Sequence, residues 1–281
     1  MYGCIGRNDL NTVVITGSTR GLGLEMAKCF RASGWNVVVN GVNQERLETA
    51  IMVLRKSPGA GSVEGYSASV TSEAEIQALA SFARETFGNI DIWINNAGVN
   101  QPMKPVWELT NEEIEAILST DLHGAILGSC IAVRLMEKQP SGGFVYNMEG
   151  HGSNDVMISG LSMYGTSKRA VTYFTKALAK ELEERNSKVK AGRLSPGVMI
   201  TDFTVKALGG KQDIDLPEKT KKFYNAVGDY PDVVGAYLVK KILSNTKNNA
   251  HIQWLTGSKV AWRFMTAGIR KRDFFDEAGK V

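Results

Sequence analysis

Tyr164 and Lys168 stand four residues apart inside a helical hydrophobic pattern, which puts both side chains on one helix face about one turn apart. A phenol ionises at about pH 10 in water. A neighbouring ammonium stabilises the phenolate, and a phenol tuned in this way can give and take protons near neutral pH. A second constellation lies near the start, where Thr16-Gly17-Ser18-Thr19-Arg20-Gly21-Leu22-Gly23 follows a β-rich run and opens a helical pattern. Glycines there let the backbone turn sharply and approach a pyrophosphate, toward which the helix aims its first N–H groups and its positive dipole end. The next strand ends in Asn40-Gly41-Val42-Asn43, with no acid to accept the adenosine ribose hydroxyls, and Arg20 lies within reach of that pocket. Guanidinium and phosphate form a charge-assisted pair, so both features favour NADPH over NADH.

The elements that must position these groups alternate along the chain. Thr12–Thr16, Trp35–Asn40, Val63–Ser67, Ile90–Asn95, Gly143–Met148, Val189–Leu194 and Ile252–Leu255 read as strands. Helical periods run from the Gly-rich turn to Ser33 and over Gln44–Lys56, Ser72–Phe87, Asn111–Glu137, Ser162–Arg185 and Pro231–Leu243. Crossovers of this length join parallel strands through helices, with right-handed connections, and cover both faces of the sheet. Thr201–Asp229, rich in Gly, Lys and Asp, interrupts the rhythm after a strand. Ligands of open α/β sheets bind beyond the carboxyl ends of the strands, so this segment is expected to form a substrate lid.

With 281 residues, 43% hydrophobic and 22% charged, the chain has the composition of a folded α/β protein rather than a disordered one. A net charge of +4 is too small to indicate a nucleic-acid binder. No apolar run reaches the roughly 18–20 residues that a membrane span requires. The three cysteines, Cys4, Cys29 and Cys130, are too sparse for a disulfide framework and suit a reducing compartment, with Cys29 and Cys130 expected as buried small hydrophobes. Spacings that would hold a metal are absent from the sequence. Met1–Leu10 carries neither an apolar signal core nor an Arg/Ser-rich transit pattern.

Taken in order, the Gly-rich turn, Asn95-Asn96-Ala97-Gly98, Tyr164-x-x-x-Lys168 and Ser195-Pro196-Gly197 resemble the short-chain dehydrogenase/reductase family over roughly Leu10 to Leu255. The resemblance implies a single Rossmann-type doubly wound parallel sheet of about seven strands with helices on both faces. It would occupy residues 1–255, followed by a tail over 256–281, in a chain that forms a homo-oligomer. By the same resemblance, Thr16, Gly17, Ser18, Thr19, Arg20, Gly21, Leu22 and Gly23 line the dinucleotide, together with Asn43, Val70, Asn96, Ala97 and Gly98. Asn95 flanks the adenine ribose and steadies the central strand, and Pro196, Gly197 and Thr201 border the nicotinamide. Tyr164 is the general acid of carbonyl reduction, and Lys168 binds the nicotinamide ribose and lowers the Tyr164 pKa.

Three positions depart from the family pattern. Its substrate-binding Ser is missing: counting forward from Asn147 places Gly150 there, and counting back from Tyr164 places His151, which could donate a hydrogen bond instead. Ser153 could substitute only if the loop folds back. The helix Asn that holds a proton-relay water is replaced by Asp121, whose charge is expected to alter the pH dependence. Ser69 stands where an Asp commonly meets the adenine amine. The stretches Asn147-Met148-Glu149-Gly150-His151-Gly152-Ser153, Tyr164-Gly165-Thr166-Ser167-Lys168 and Trp254-Leu255-Thr256-Gly257 are similar to the chlorophyll b reductase branch. Its enzymes use NADPH to reduce the 7-formyl group of chlorophyll b.

That branch implies a small hydrophobic carbonyl substrate. It also implies a place at the plastid stroma or thylakoid surface in a photosynthetic eukaryote, with the cytoplasm as the setting otherwise. The aromatic and basic tail, with Trp262, Phe264, Arg263, Arg270 and Arg272, suits packing on the protein itself, a subunit interface or lid, or an anionic membrane surface. Reduction of another hydrophobic carbonyl, such as a steroid, retinoid or acyl ketone, and a weakly catalytic dinucleotide sensor are the competing readings.

Overall fold

The computed structural model describes residues 10–199, 218–267 and 272–274. Cys4, Thr201, most of the expected lid and the ends of the tail lie outside the described residues. The seven strands are β1 (Thr12–Ile15), β2 (Asn36–Gly41), β3 (Val63–Ser67), β4 (Ile92–Asn95), β5 (Gly143–Met148), β6 (Val189–Ser195) and β7 (Ala250–Gln253). They form one sheet in the order β3-β2-β1-β4-β5-β6-β7, and every neighbouring pair is parallel. The chain winds outward from β1 to β3, returns to β4 beside β1, and winds outward again. Such a reversal opens a crevice beyond the strand ends, between the loops that follow β1 and β4.

Successive strand residues point to opposite faces, and the two cores follow that alternation. Val13, Ile15, Val37 and Val39 pack on one side with Met26 and Phe30 of α1 (Gly21–Ala32), Leu47 of α2 (Gln44–Lys56) and Leu238 of α8 (Pro231–Leu243). Val14, Val38, Trp93 and Val145 pack on the other with Ile76 and Leu79 of α3 (Glu73–Phe87), Ile131 of α5 (Gly124–Met136) and Leu182 of α6 (Ser162–Glu184). After β6, α7 (Glu218–Val227) leads to α8, and α9 (Gly257–Thr266) follows β7. The segment expected as a lid is therefore helical over its described end.

The expected helix Asn111–Glu137 is interrupted. It runs as α4 (Asn111–Ile117), a π turn over Leu118–His123, and α5. A π turn admits an extra residue and is often found at functional sites; here it carries Asp121 into the protein. The same path, Asn111–Met136, is long and apolar enough to cross a membrane by length and composition, which corrects the expectation of no such run. Ile117, Ala125, Ile131, Ala132 and Met136 are buried within this fold, so the apolarity serves the core. Cys29 and Cys130 are half-buried rather than fully enclosed.

A polar network crosses the second core. Trp93 Nε1 donates to Asn95 Oδ1 at 2.8 Å, and Asn95 Nδ2 donates to Asn147 Oδ1 at 2.7 Å. Ser129 Oγ lies 3.0 Å from Asn95 Nδ2 and 3.1 Å from Asn147 Oδ1, and Asn147 Nδ2 donates to Thr175 Oγ1 at 2.9 Å. These side chains tie β4, β5, α5 and α6 together by direct hydrogen bonds. Asn147→Ala strips partners from Asn95, Ser129 and Thr175 at once. Buried polar groups left without partners cost about 1–3 kcal/mol, so a loss of about 2–3 kcal/mol is expected, read as a lower urea midpoint at unchanged slope.

Candidate active site

The loop after β1 is held by side chains that reach across the crevice. Thr16 Oγ1 accepts the backbone N–H groups of Asn96 and Ala97 at 3.0 and 3.1 Å, and Asn96 Nδ2 donates to the carbonyls of Thr16 and Gly17. Ser18 Oγ donates to Ile15 O and accepts from Asn40 N. Thr16, Ser18 and Asn96 thus brace the loop, and Leu22 points into the core. Gly17 has φ +60°, and a Cβ on it would lie 2.7 Å from the Ala97 backbone, so this turn requires glycine.

The cradle fits a dinucleotide phosphate. The α2, α3 and α4 helices begin with capping side chains from Asn43, Ser72 and Thr110. By contrast, α1 follows exposed Arg20 with no side-chain cap and no acid in its first turn. Its first N–H groups and dipole therefore suit an anion. At the end of β2, Asn40 turns inward to the carbonyls of Tyr66 and Ala68. Asn43 is spent as the α2 cap, and Val42 is exposed. Thr19 sits against Gly41, while Val70 packs on Gly124 at the start of α5. Ser69 Oγ pairs with Thr71 Oγ1.

Tyr164 and Lys168 lie on the first turns of α6, both buried. Gln101, from the loop after β4, accepts the Met163 and Tyr164 N–H groups at 2.8 and 3.0 Å and donates to Gly160 O. It caps α6 from a distance in sequence. Lys168 Nζ stands 5.6 Å from the Tyr164 ring centroid and 3.2 Å from Asp121 Oδ2, while Asp121 Oδ1 accepts the Val99 N–H at 2.7 Å. The Asp121 and Lys168 side chains are 0% and 6% exposed, so the pair is buried. Burial pushes the Asp121 carboxyl up, against the Lys168 ammonium and the Val99 N–H, which pull it down.

The expectation that Lys168 draws Tyr164 toward neutrality is not met. Burial first, and the Asp121 charge second, hold the phenol above its ordinary value. Asp121 Oδ2 forms an ion pair with the Lys168 ammonium but makes no hydrogen bond among the described residues.

The loop after β5 carries both positions counted for the missing Ser. A Cβ on Gly150 would lie 2.3 Å from Tyr164 Oη, so Gly150 lies directly against the phenol. His151 is half-buried, and burial pushes its imidazole pKa down. The loop does fold back: Ser153 N donates to Gly150 O at 3.2 Å and Gly150 N to Ser153 Oγ at 3.2 Å. Yet Ser153 Oγ donates to Lys168 O at 3.3 Å, so the hydroxyl is anchored to α6. Beneath the loop, buried Glu149 gathers Thr172 Oγ1, the Ser195 hydroxyl, His251 Nε2 at 2.9 Å and Arg193 Nη1 at 3.5 Å. Burial would raise this carboxyl, but hydrogen bonds from His251, Ser195 and Thr172 outweigh it and hold the pKa at about 2.

The family model described as short chain dehydrogenase matches residues 11–211. The chain belongs to the short chain dehydrogenase family. It is 34% identical to the chlorophyll(ide) b reductase NOL, chloroplastic, of Oryza sativa subsp. japonica over 94% of this chain and 78% of that protein. The probable chlorophyll(ide) b reductase NYC1, chloroplastic, of the same organism is 33% identical over 96% of this chain, which spans 54% of its length. The crystal structure of levodione reductase superposes with a TM-score of 0.77 at 25% identity, covering 89% of this chain and 98% of that one.

As a short chain dehydrogenase, this oxidoreductase brings Tyr164, Lys168, Asp121, Gly98 and Gly150 together at the carboxyl edge of the sheet, with Pro196 and Gly197 at the end of β6. Sequence reasoning missed Gln101 and the Glu149 cluster, whose partners are 62 and 102 residues away along the chain. The tail is partly spent on the protein itself. Asp229 accepts Trp254 Nε1 at 2.6 Å and pairs with Arg263 at 2.7 Å and Arg272 at 2.8 Å, while Phe264 and Met265 remain exposed. Restoring the family's Ser is expected to harm this enzyme: the Gly150→Ser side chain collides with Tyr164 and lowers kcat, measured beside a Gly150→Ala control that brings the same Cβ.

Proposed function

We propose that the chain is an NADPH-dependent reductase of a hydrophobic carbonyl, in the first place the 7-formyl group of chlorophyll(ide) b. One observation carries the reading: buried Lys168 holds its ammonium 5.6 Å from the Tyr164 ring centroid, and glycine at position 150 lies against the phenol hydroxyl. Met103, Trp107, Val156, Met157 and Ile158 are all exposed. Gln101 joins the two segments that bear them, at the backbone of Tyr164 itself. Single exposed apolar residues need no explanation, but several on two segments tied through Gln101 to the start of α6 suit a large apolar substrate. The similarity to chlorophyll(ide) b reductases supports the same substrate, and their chloroplastic names support a plastid setting.

The dinucleotide, when bound, supplies the hydride chemistry. Gly17, Gly21 and Gly23, with the N-terminus of α1, would hold its phosphates, and Arg20 a 2′-phosphate. Thr19, Leu22, Asn43, Val70, Asn96, Ala97 and Gly98 would border the adenosine half, with Thr16 and Ser18 bracing the loop. Pro196, Gly197 and Thr201 would border the nicotinamide. Tyr164 Oη donates a proton to the carbonyl oxygen as the carbon is reduced, and Lys168 orients the ribose and the phenol. The similarity to levodione reductase puts other ketones on the same test panel.

With NADPH and chlorophyllide b, the purified chain is expected to form the 7-hydroxymethyl pigment, read by chromatography. Tyr164→Phe should lower kcat by about 10²–10⁴-fold, the usual worth of a placed general acid. No product from protein shown to bind NADPH would remove the pigment assignment. Arg20→Ala should weaken NADPH about tenfold or more and leave NADH unchanged, since a hydrogen bond to a charged group contributes about 1.5–3 kcal/mol. Equal weakening of both cofactors, measured by fluorescence titration, would remove Arg20 from the specificity argument.

A further inference from the structure

The family's helix Asn is Asp121 here, and the fold gives that exchange a definite electrostatic result. An Asn at this position could still accept the Val99 N–H, as Asp121 Oδ1 does at 2.7 Å. It could not bring a negative charge 3.2 Å from Lys168 Nζ inside a buried site. An Asp–Lys pair holds one dissociable proton in either arrangement, carboxylate with ammonium or carboxylic acid with amine. Its net charge is zero in both. With Asn the same site carries +1.

We propose that Asp121 is a positioning residue that sets the alkaline limit of this reductase: paired with Lys168, it cancels the ammonium charge beside Tyr164. The inference rests on Tyr164 acting as the proton donor in the reading above. When Tyr164 gives its proton to the carbonyl oxygen, the phenolate left behind faces a neutral pair rather than a cation. It therefore regains a proton from solvent at higher pH than it would beside an unpaired ammonium.

Among the described residues, the charged groups of the neighbouring elements do not restore the charge. His151, in the loop after β5, is neutral in the alkaline range because burial already lowers its pKa. Glu149, beneath that loop, is turned to Thr172, Ser195, Arg193 and His251. Arg169, next along α6, reaches away to Asp155 and the Ser153 carbonyl. From the loop after β4, Lys104 pairs with Glu113.

The sign follows directly. Carbonyl reduction needs the protonated phenol, so it is lost as pH rises through the Tyr164 pKa. Asp121→Asn leaves Lys168 as a lone cation, favours phenolate and moves that loss to lower pH by about 1–3 units, the usual effect of an unpaired opposite charge at this range. The reverse oxidation needs the phenolate, and its rising limb moves down equally, because a catalyst leaves the equilibrium unchanged.

The test measures two things on the full chain. The first is tyrosinate absorbance against pH, with Tyr164→Phe subtracted to isolate one of the eight tyrosines. The second is kcat/KM for chlorophyllide b with NADPH across the same range. The expected result is a wild-type Tyr164 that ionises above about pH 10, the ordinary tyrosine value, and an Asp121→Asn protein in which both the absorbance and the reduction limb move down together. A wild-type Tyr164 that ionises near neutrality, or an Asp121→Asn titration that does not move, overturns the inference. Should Asp121→Asn fail to fold, the wild-type titration decides alone. If chlorophyllide b is not reduced while the tyrosinate titration moves as expected, the substrate reading fails and the role of Asp121 stands.

Discussion

The contact between the side-chain amides of Asn95 and Asn147, 2.7 Å apart on neighbouring strands, governs how the reactive groups meet. Asn95 lies two residues before Ala97 and Asn147 three before Gly150, so one contact sets the distance between the two loops that frame the site. Thr175 and Ser129 extend it into α6 and α5. Each of these polar groups is buried, and in a low-dielectric interior a half-satisfied network costs more than an apolar one. The arrangement therefore has little freedom to relax, and that rigidity is what a proton donor needs when placement within a fraction of an ångström decides its rate.

Two buried carboxylates stand within this frame and are treated in opposite ways. Glu149 receives hydrogen bonds from Thr172, Ser195 and His251 and is held strongly acidic. Asp121 has one N–H and one ammonium to offset nearly complete burial, and its carboxyl is pushed up. Desolvation acts on both; the number and charge of the donors decides which way each one moves. Glu149 anchors the base of the loop that presents Gly150 and reaches Lys168 through Thr172, whose hydroxyl also approaches the Lys168 carbonyl at 3.0 Å. Asp121 alone of the two pairs with the Lys168 ammonium.

The order of strands and helices was legible because the hydrophobic period changes between 2 and 3.6 along the chain, and that signal is local. Val63–Ser67 agrees at both ends. β2 and β7 lie one or two residues from their expected positions, since strand ends depend on ladder partners. The Gly-rich turn and the Tyr164–Lys168 spacing were legible for the same reason, each being written within eight residues. The π turn at Asp121 was not, because a helix that admits one extra residue keeps an apolar pattern close to that of a regular helix. Nor was the approach of Gly150 to Tyr164, since counting along a loop cannot say which residue lies against a distant phenol.

By itself, the sequence determined the chemistry available: a phenol and an amine on one helix face, a glycine turn ahead of a helix, no acid at the end of the second strand, and an Asp where a neutral amide is usual. Each is a statement about residue type and near-neighbour spacing, which the chain carries in covalent form. The tertiary structure alone decided how these groups modify one another. Asp121 pairs with Lys168, Gln101 caps α6, and Asp229 draws two tail arginines onto the body. Those outcomes depend on distances between residues far apart in the chain and on the exclusion of water between them. Burial and charge separation exist only once the sheet has brought its loops to one edge.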